Sequence, residues 1–322
     1  MSSTPIPAAA AASAAHVPHA HGQPASGWLA RHGDANARPR QRNLRRYWAV
    51  GMPGAILLAF IVAAALAPWI APYDPNALDM PNQLSQPTWW SAHPLGTDQL
   101  GRDQVSRLLH GGRVTLAMSA IATLGTVIIG LAVGVVSGYF GGKVDAGIST
   151  LLTVLLALPS LLLTLAILGI LGPGTTTLLV ALIGAGWVGQ ARIFRAAILS
   201  LREQLYVDAA ISLGASTPRI LLRHLVPNLA TTVVVIATLD LGANILTVTS
   251  LSFLGLGVQP PTADWGTMLN DARQYFGQFP WLVIAPGLCI TLVALTSNLL
   301  GDAIRDLVDV RGAHAGAAKA KG

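Results

Sequence analysis

A polar stretch, YVDAAISLGASTPRILLRHLVPN (Tyr206 to Asn228), separates two long apolar runs of the chain. Its pattern predicts a helix, a tight turn and a second helix. Gly214 suits the left-handed conformation that ends a helix, because it has no Cβ to clash with the neighbouring carbonyl. We therefore predict a helical hairpin over residues 203–228, called the hairpin below, that is too polar to cross a bilayer.

The second half of the hairpin has the pattern of an amphipathic helix. Ser216 or Thr217 can cap this helix, and Pro218 fits its first turn, where a missing N–H costs nothing. Three leucines predict an apolar face and two arginines a solvated one, namely Leu221, Leu222 and Leu225, and Arg219 and Arg223. A capped hairpin of this kind, held between two apolar runs, is typical of a docking surface.

The composition indicates a membrane protein. The chain has 322 residues, of which 52% are hydrophobic and 11% charged, whereas soluble domains carry roughly 25% charged residues. A net charge of +6 is compatible with nucleic-acid binding. The basic residues, however, lie in the tails and in alternate loops, which favours a positive-inside bias and no nucleic-acid partner. The single cysteine, Cys289, lies in an apolar run and is expected to pack there.

Six apolar runs predict an all-α membrane protein with six transmembrane helices. The runs lie near residues 49–70, 114–138, 148–171, 175–191, 229–254 and 281–300. The predicted organisation is a disordered cytoplasmic tail (1–45), a first transmembrane helix (46–71), a periplasmic loop (72–112), a five-helix core that contains the hairpin (113–305) and a cytoplasmic tail (306–322). Of the 20 Lys and Arg residues, 16 then lie on the side of the hairpin and both tails. The positive-inside bias therefore places the hairpin and both termini in the cytoplasm.

Small residues and prolines predict how these helices pack. Gly130, Gly134 and Gly138 recur at every fourth position and predict a groove for a neighbouring helix. Pro159 predicts a bend in the third apolar run. In the periplasmic loop, Thr97 or Asp98 can cap a short amphipathic helix whose Val105, Leu108 and Leu109 share one face, and we expect this helix to lie on the membrane surface.

The hairpin resembles the cytoplasmic coupling loop of ABC-importer permeases, whose form is E-A-A, three residues, Gly, nine residues, I-x-L-P. The matching positions are Asp208, Ala209, Ala210, Gly214 and Pro227. Asp208 replaces the Glu, His224 the Ile and Val226 the Leu. This His, with Pro-Asn after it, is similar to the peptide-transporter branch, as are the segments 93–113 and 250–266. Many members of that branch carry an acidic residue just before the second segment. This chain has Thr247, Val248 and Thr249 there, so no acidic role is transferred.

The resemblance implies a type I ABC importer permease fold in a bacterial inner membrane. Its implied partners are a second, homologous permease, two ABC ATPase subunits, an extracytoplasmic substrate-binding protein and membrane lipid. The residues expected to couple to the ATPases are Asp208, Ala209, Ala210, Gly214, Arg219, Arg223, His224 and Pro227. The chain has no G-x-x-x-x-G-K-[ST] phosphate loop. We therefore expect no enzymatic activity, metal site or cofactor in this chain, with ATP and Mg on the partner subunits.

Asp240 and Asn244 are the candidate residues of a translocation pathway. A carboxylate at mid-bilayer costs about 2.5–3.5 kcal/mol, so Asp240 is expected to face protein or water rather than lipid. Asp240 either lines the pathway and meets the amino terminus of a peptide, or forms a buried hydrogen bond within the helix packing. Trp187 and Asn298 are weaker candidates for the pathway.

Other functions stay open at this level. Within the same family, nickel and glutathione are alternative substrates. A secondary transporter predicts repeated halves and several ion-binding acids, and an intramembrane hydrolase predicts paired catalytic groups at membrane depth. The residues His93, Asp98, Asp103 and His110 match no compact metal-ligand spacing. Three histidines of the first tail, His16, His19 and His21, can bind metal weakly but are better explained by its biased composition. Neither rival class accounts for the capped hairpin.

Overall fold

The computed structural model describes the backbone of residues 39–319 and the side chains of residues 50–307. Most of the predicted first tail, with its three histidines, and most of the second tail lie outside these ranges. The regular elements of the described residues are helical. They are α1 Pro39–Ala65, α2 Ala67–Ile70, α3 Gln104–Phe140, α4 Gly142–Leu156, α5 Ser160–Leu171, α6 Thr175–Arg202, α7 Leu205–Ser212, α8 Thr217–Ile220, α9 Val226–Phe253, α10 Trp265–Ala272 and α11 Trp281–Lys319.

Several of these helices are long and apolar enough to cross a membrane. Within the described residues, four qualify, namely 104–140, 175–202, 217–253 and 281–307, and the bent pair α4–α5 forms a fifth if it is one span. The apolar part of α1, Val50–Ala65, is shorter than these helices. An all-helical membrane fold is therefore confirmed, while a count of six spans stays a prediction.

Pro159 breaks the third apolar run as expected. α4 ends at Leu156, α5 begins at Ser160, and the two axes differ by 84°. Pro159 lies at the N-cap of α5 with an extended ψ of 129°. Proline lacks a backbone N–H and its ring collides with the carbonyl one turn earlier, so a straight helix cannot continue through it.

The glycine stripe of α3 contacts α6 closely, as predicted. A Cβ at Gly134 would lie 2.8 Å from both the carbonyl oxygen of Ala191 and the Cβ of Phe194. A Cβ at Gly130 or Gly138 would also meet α6 at under 3.0 Å. Because backbone atoms cannot move aside as side chains do, only glycine permits this approach. A core where α3, α6 and α9 meet includes Ala122, Leu178, Ala181, Val248 and Leu251.

The loop of residues 72–103, called the anchored loop below, is held to α3 and α10 by buried ion pairs. Arg102 Nε lies 2.6 Å from Asp98 Oδ2, and its Nη2 lies 3.1 Å from Asp271 Oδ2. Arg107 lies 3.3 Å from Asp271 and 3.4 Å from Asp98, the latter without hydrogen-bond geometry. Two arginines and two aspartates thus balance in charge, and both arginines are buried.

The short surface helix predicted in this region is not a separate element. Asp103, rather than Thr97 or Asp98, is the N-cap, and its Oδ2 accepts a hydrogen bond from the backbone N–H of Ser106 at 2.8 Å. The residues after it form the first turns of the 37-residue helix α3. His93 Nδ1 lies 2.9 Å from Asp103 Oδ1 and so fixes the loop to this cap. The acidic and histidine residues of this loop therefore have structural partners.

A buried carboxylate caps α10, and the tryptophan after it connects this helix to the start of α3. Asp264 caps α10 and accepts a hydrogen bond from the Thr267 N–H at 2.8 Å. Burial raises the pKa of the Asp264 carboxyl, and the hydrogen bond from Thr267 partly opposes this rise. The next residue, Trp265, donates from Nε1 to the Leu108 carbonyl at 3.0 Å. α10 and the first turns of α3 thus form one packed unit.

Candidate functional site

The hairpin has the predicted helix, turn and second helix. α7 ends at Ser212, and Gly214 has a φ of +77°. The Gly214 N–H donates to the Ile211 carbonyl at 2.9 Å, and the Ala215 N–H donates to the Ala210 carbonyl at 3.0 Å. This pair of bonds defines a Schellman motif, which satisfies the last carbonyls of a helix through a left-handed residue. The role of the hairpin in coupling stays a prediction.

The second arm of the hairpin runs directly into α9. α8 is followed by a π-helical turn, Leu221–Leu225, and then by Val226, so that 217–253 forms one apolar helix. The turn lies just before Pro227, which cannot donate to a carbonyl one α-turn earlier, and a wider turn accommodates this missing bond. Pro227 therefore lies within a continuous helix and does not separate the hairpin from the span.

The widened turn also changes which leucines are buried. Ile220, Leu225 and Leu229 are buried, at spacings of five and four residues. Leu222 does not belong to this stripe and is 71% exposed. The prediction that it shares an apolar face with Leu225 was therefore wrong, because the five-residue spacing of the π-turn is not the helical period that the prediction assumed.

The base of the hairpin is fixed against α9 and α6. Val207 is buried with Ile198 of α6 and with the stripe just described. The rings of Tyr206 and His224 lie 6.4 Å apart. The Asn228 amide donates to the His224 carbonyl at 2.5 Å and to the Tyr206 hydroxyl at 3.4 Å. His224 thus lies at the base of the hairpin.

The outer surface of the hairpin is exposed and partly apolar. Leu205 and Leu213 are 85% and 87% exposed. Among the predicted coupling residues, Asp208, Ala209, Gly214, Arg219, Arg223 and Pro227 are exposed, while Ala210 and His224 are half-buried. Leucines at this exposure beside charged residues are characteristic of a surface that another protein covers.

The second candidate region is a groove between the α4–α5 bend, α6 and α9. It has a volume of about 590 Å³, and Asp240 and Asn244 both line it. Asp240 Oδ2 accepts hydrogen bonds from Thr126 Oγ1 and from Asn244 Nδ2, each at 3.0 Å. The Asn244 amide also donates to Thr123 Oγ1 at 2.9 Å. Asp240 is thus hydrogen-bonded to α3 and also borders open space, while its role in a translocation pathway stays a prediction.

The charge of Asp240 has no counter-ion among the side chains of residues 50–307. Gln190 of α6 also interacts with this carboxylate, and its own buried Oε1 has no hydrogen-bond partner. Gly189 also lines the groove, and a Cβ at this position would meet no atom within 4 Å. This glycine therefore leaves space in the groove and does not serve a close contact between helices. The groove therefore offers the carboxylate of Asp240 to a ligand.

Sequence reasoning missed part of this polar cluster. Thr123, Thr126 and Gln190 come from two other helices, and a threonine in an apolar helix gives no indication of its partner. The weaker candidates lie elsewhere: Trp187 packs beside Val188 and Ala191, and Asn298 lies against Gly242 between α11 and α9.

The groove has two neighbouring cavities that share lining residues with it. One has a volume of about 690 Å³, is mainly apolar and shares Leu246 and Ser250 with the groove. The other, of about 150 Å³, shares Leu156 and includes Arg192 and Arg195. Since α6 runs from the groove through Arg192 towards Arg202 and α7, the smaller cavity lies at the hairpin end.

Comparisons with known proteins agree with this architecture. Residues 130–312 match the family described as "Binding-protein-dependent transport system inner membrane component", and residues 49–87 match the "N-terminal TM domain of oligopeptide transport permease C". In solved structures, the chain is similar to a chain of the MetNI methionine ABC transporter in inward-facing conformations. The TM-score is 0.52 at 20% identity, over 62% of this chain and 95% of that chain. This structural likeness shows the fold.

Curated relatives are similar over most of the chain. The di/tripeptide transport system permease protein DppC of Pseudomonas aeruginosa is 41% identical over 80% of this chain and 86% of the relative. The nickel transport system permease protein NikC of Escherichia coli K12 is 38% identical, over 81% and 94%. The glutathione transport system permease protein GsiD of Pectobacterium atrosepticum is 40% identical, over 84% and 89%. The chain belongs to the binding-protein-dependent family of inner-membrane ABC importer permeases, in its peptide and nickel branch.

Proposed function

We propose that this chain forms half of the translocation pathway of an ATP-driven importer of di- or oligopeptides. In this proposal α1 and the α4–α5 pair each count as one span, giving six, and both termini are cytoplasmic. A second, homologous permease completes the pathway, two ATPases dock on the hairpins, and a binding protein delivers substrate from the opposite side. The observation that carries the proposal is the continuous helix from the hairpin into α9, because α9 carries Asp240.

The proposed coupling follows from this continuity. Fifteen residues separate Leu225 from Asp240, so the hairpin base and the groove lie about 22 Å apart along one helix. A displacement of the hairpin by closing ATPases therefore reaches the groove without crossing a flexible joint. ATP shifts the pathway between its two states only because the ATPases bind it more tightly in one of them.

Asp240 supports a peptide as the substrate. An ammonium group provides three donors, and the groove presents the carboxylate of Asp240. The same geometry offers a nickel ion one carboxylate, and we find no cluster of three His, Cys, Asp or Glu suited to a metal ion within the described residues. Glutathione, which also has an amino group, is the second candidate because a relative with 40% identity is named for its transport.

In this proposal the partner ATPase subunits bind the ATP whose hydrolysis drives transport. The chain carries no phosphate-loop motif, and its Gly142-Lys143 pair is followed by Val144. ATP and Mg are therefore proposed to bind the separate ATPase subunits, and this chain is proposed to hold no cofactor.

The test uses the complex of this chain with its partner permease and ATPases in lipid, with and without the binding protein. Gly214→Pro should break the Schellman turn, because proline cannot adopt a φ of +77°. We expect the variant to lose most peptide-stimulated ATPase activity. The matched control is Gly172→Pro, in the turn between α5 and α6. Gly172 has a φ of +83°, and, as at Gly214, a Cβ there would meet no atom within 4 Å. Equal losses in both variants, or none in Gly214→Pro, would count against coupling through the hairpin.

A further inference from the structure

The small cavity at the hairpin end of the groove contains an arginine without a partner. Ser149, Leu152, Thr153, Leu156, Arg192 and Arg195 line its volume of about 150 Å³. Arg195 is neutralised by Asp145, whose two carboxylate oxygens lie 2.5 and 2.7 Å from its guanidinium. Arg192 has neither an ion pair nor a hydrogen bond to any side chain or backbone group of residues 50–307.

Arg192 lies on the same face of α6 as the groove. Val188 lines the groove, and Arg192 follows it by four residues, which places the two on one face about 6 Å apart along the helix axis. Leu156 lines both cavities, which are therefore neighbours. The path therefore carries an unpaired negative charge at Asp240 and, further towards the hairpin, an unpaired positive charge.

The geometry points to Arg192 as a binding residue for the carboxylate of the transported peptide, and this inference rests on the proposed peptide-importer function. Asp240 lines the groove, Arg192 lines the small cavity, and Leu156 lines both. A peptide whose amino group lies at Asp240 can thus extend its carboxylate towards Arg192. Guanidinium groups bind carboxylates through two parallel hydrogen bonds, which gives direction as well as affinity.

The paired arrangement next to it explains why Arg192 rather than Arg195 has this role. Arg195 already has both Asp145 oxygens within hydrogen-bond distance, and Ser137 donates to the same carboxylate at 2.6 Å. A ligand carboxylate at Arg195 would have to displace Asp145. At Arg192 the side chain is exposed, and no paired side chain of residues 50–307 has to be displaced.

The experiment compares two probes, alanylalanine and its carboxy-terminal amide, in transport by the full complex with its binding protein. The quantity measured is the ratio of the two transport rates for the wild type and for Arg192→Gln. Any preference of the binding protein cancels in this comparison, because the same binding protein serves both complexes. We expect the preference for the free acid to fall on the order of tenfold in the variant, the loss of one charge-assisted contact. Arg192→Lys keeps the positive charge but cannot form the two parallel hydrogen bonds of a guanidinium. This variant should restore part of the preference for the free acid.

The control is Lys143→Gln, which removes an exposed cation at the start of α4 and should leave the ratio unchanged. A ratio equal in wild type and Arg192→Gln overturns the inference while wild-type transport upholds the peptide function. An effect of Arg192→Gln that depends on anionic lipid and not on the peptide carboxylate also overturns it, in favour of a lipid headgroup. A wild-type complex that transports neither probe overturns the dipeptide function, and the inference with it.

Discussion

The anchored loop and the hairpin each contain a turn with a glycine in the left-handed conformation. The space around that glycine is crowded in the loop and open in the hairpin. Gly96 has a φ of +75°, and a Cβ there would lie 2.2 Å from the Ser85 carbonyl oxygen. Gly214 has a φ of +77°, and nothing lies within 4 Å of its built Cβ. The same backbone conformation is thus enclosed in one region and open in the other.

The difference extends to the side chains of the two regions. The anchored loop is tied to α10 by Arg102 and Arg107, which are buried and paired with aspartates. The hairpin places Leu213 and Leu222 in the open, at 87% and 71% exposure. Both regions expose apolar side chains, since Trp89 and Trp90 of the anchored loop are 82% and 97% exposed. The regions differ in their charged groups, because those of the anchored loop include buried ion pairs, whereas the charged residues of the hairpin lie on its surface. Substitutions should therefore change stability in the first region and assembly in the second.

The largest expected effect is on the stability of the anchored loop. Arg107→Ala leaves the Asp98 and Asp271 carboxylates to share Arg102, with a net negative charge in a buried site. Breaking a buried ion-pair group from one side costs about 3–5 kcal/mol. We expect a clearly lower melting temperature, measured by intrinsic fluorescence of the purified chain in detergent.

Arg113→Ala is the matched control, because Arg113 lies on the same helix and is exposed. Its stability should change by less than about 0.5 kcal/mol. If the two variants melt together, the ion pairs do not hold the anchored loop, and the contrast with the hairpin loses its basis.

A smaller effect on stability, which separates the two regions more clearly, is expected from substituting Gly96 and Gly214. Gly96→Ala forces a left-handed alanine and a collision with a backbone oxygen, at an expected cost of about 2–4 kcal/mol. Gly214→Ala brings only the left-handed strain, about 1 kcal/mol, since its surroundings are open. The variant with the larger loss of melting temperature should therefore be the one with the smaller loss of peptide-stimulated ATPase activity in the complex. Gly96→Ala should lower the melting temperature more, and Gly214→Ala should reduce coupling more.

How much could be predicted from the sequence depended on how far apart the interacting residues are. The hairpin turn follows from Gly214 and Pro218, because capping is decided within about one helical turn. The bend at Pro159 is equally local. The contact of Arg107 with Asp271 joins residues 164 positions apart, and no periodicity indicates it.

In the groove, too, the sequence indicated one residue but not its distant partners. Asp240 stood out because a carboxylate in an apolar run is costly. Its partners on α3 and α6, including Thr126 and Gln190, became apparent only when three helices were brought together. The exposure of Leu222 could not be predicted either, because the π-turn before Pro227 shifts the buried stripe by one residue.

The smallest effect on stability, and the most direct test of the contrast, is expected for exposed leucines. Leu213→Ser on the hairpin and Leu78→Ser on the anchored loop remove side chains that are 87% and 65% exposed. Neither should change the free energy of unfolding by more than about 0.5 kcal/mol. If an ATPase covers Leu213, the lost burial weakens its association on the order of tenfold. Titration of the ATPase onto the permease pair should then show weaker binding for Leu213→Ser alone. Equal affinity in both variants would mean that the exposed leucine of the hairpin faces lipid or solvent in the complex, and that docking depends on its charged residues instead.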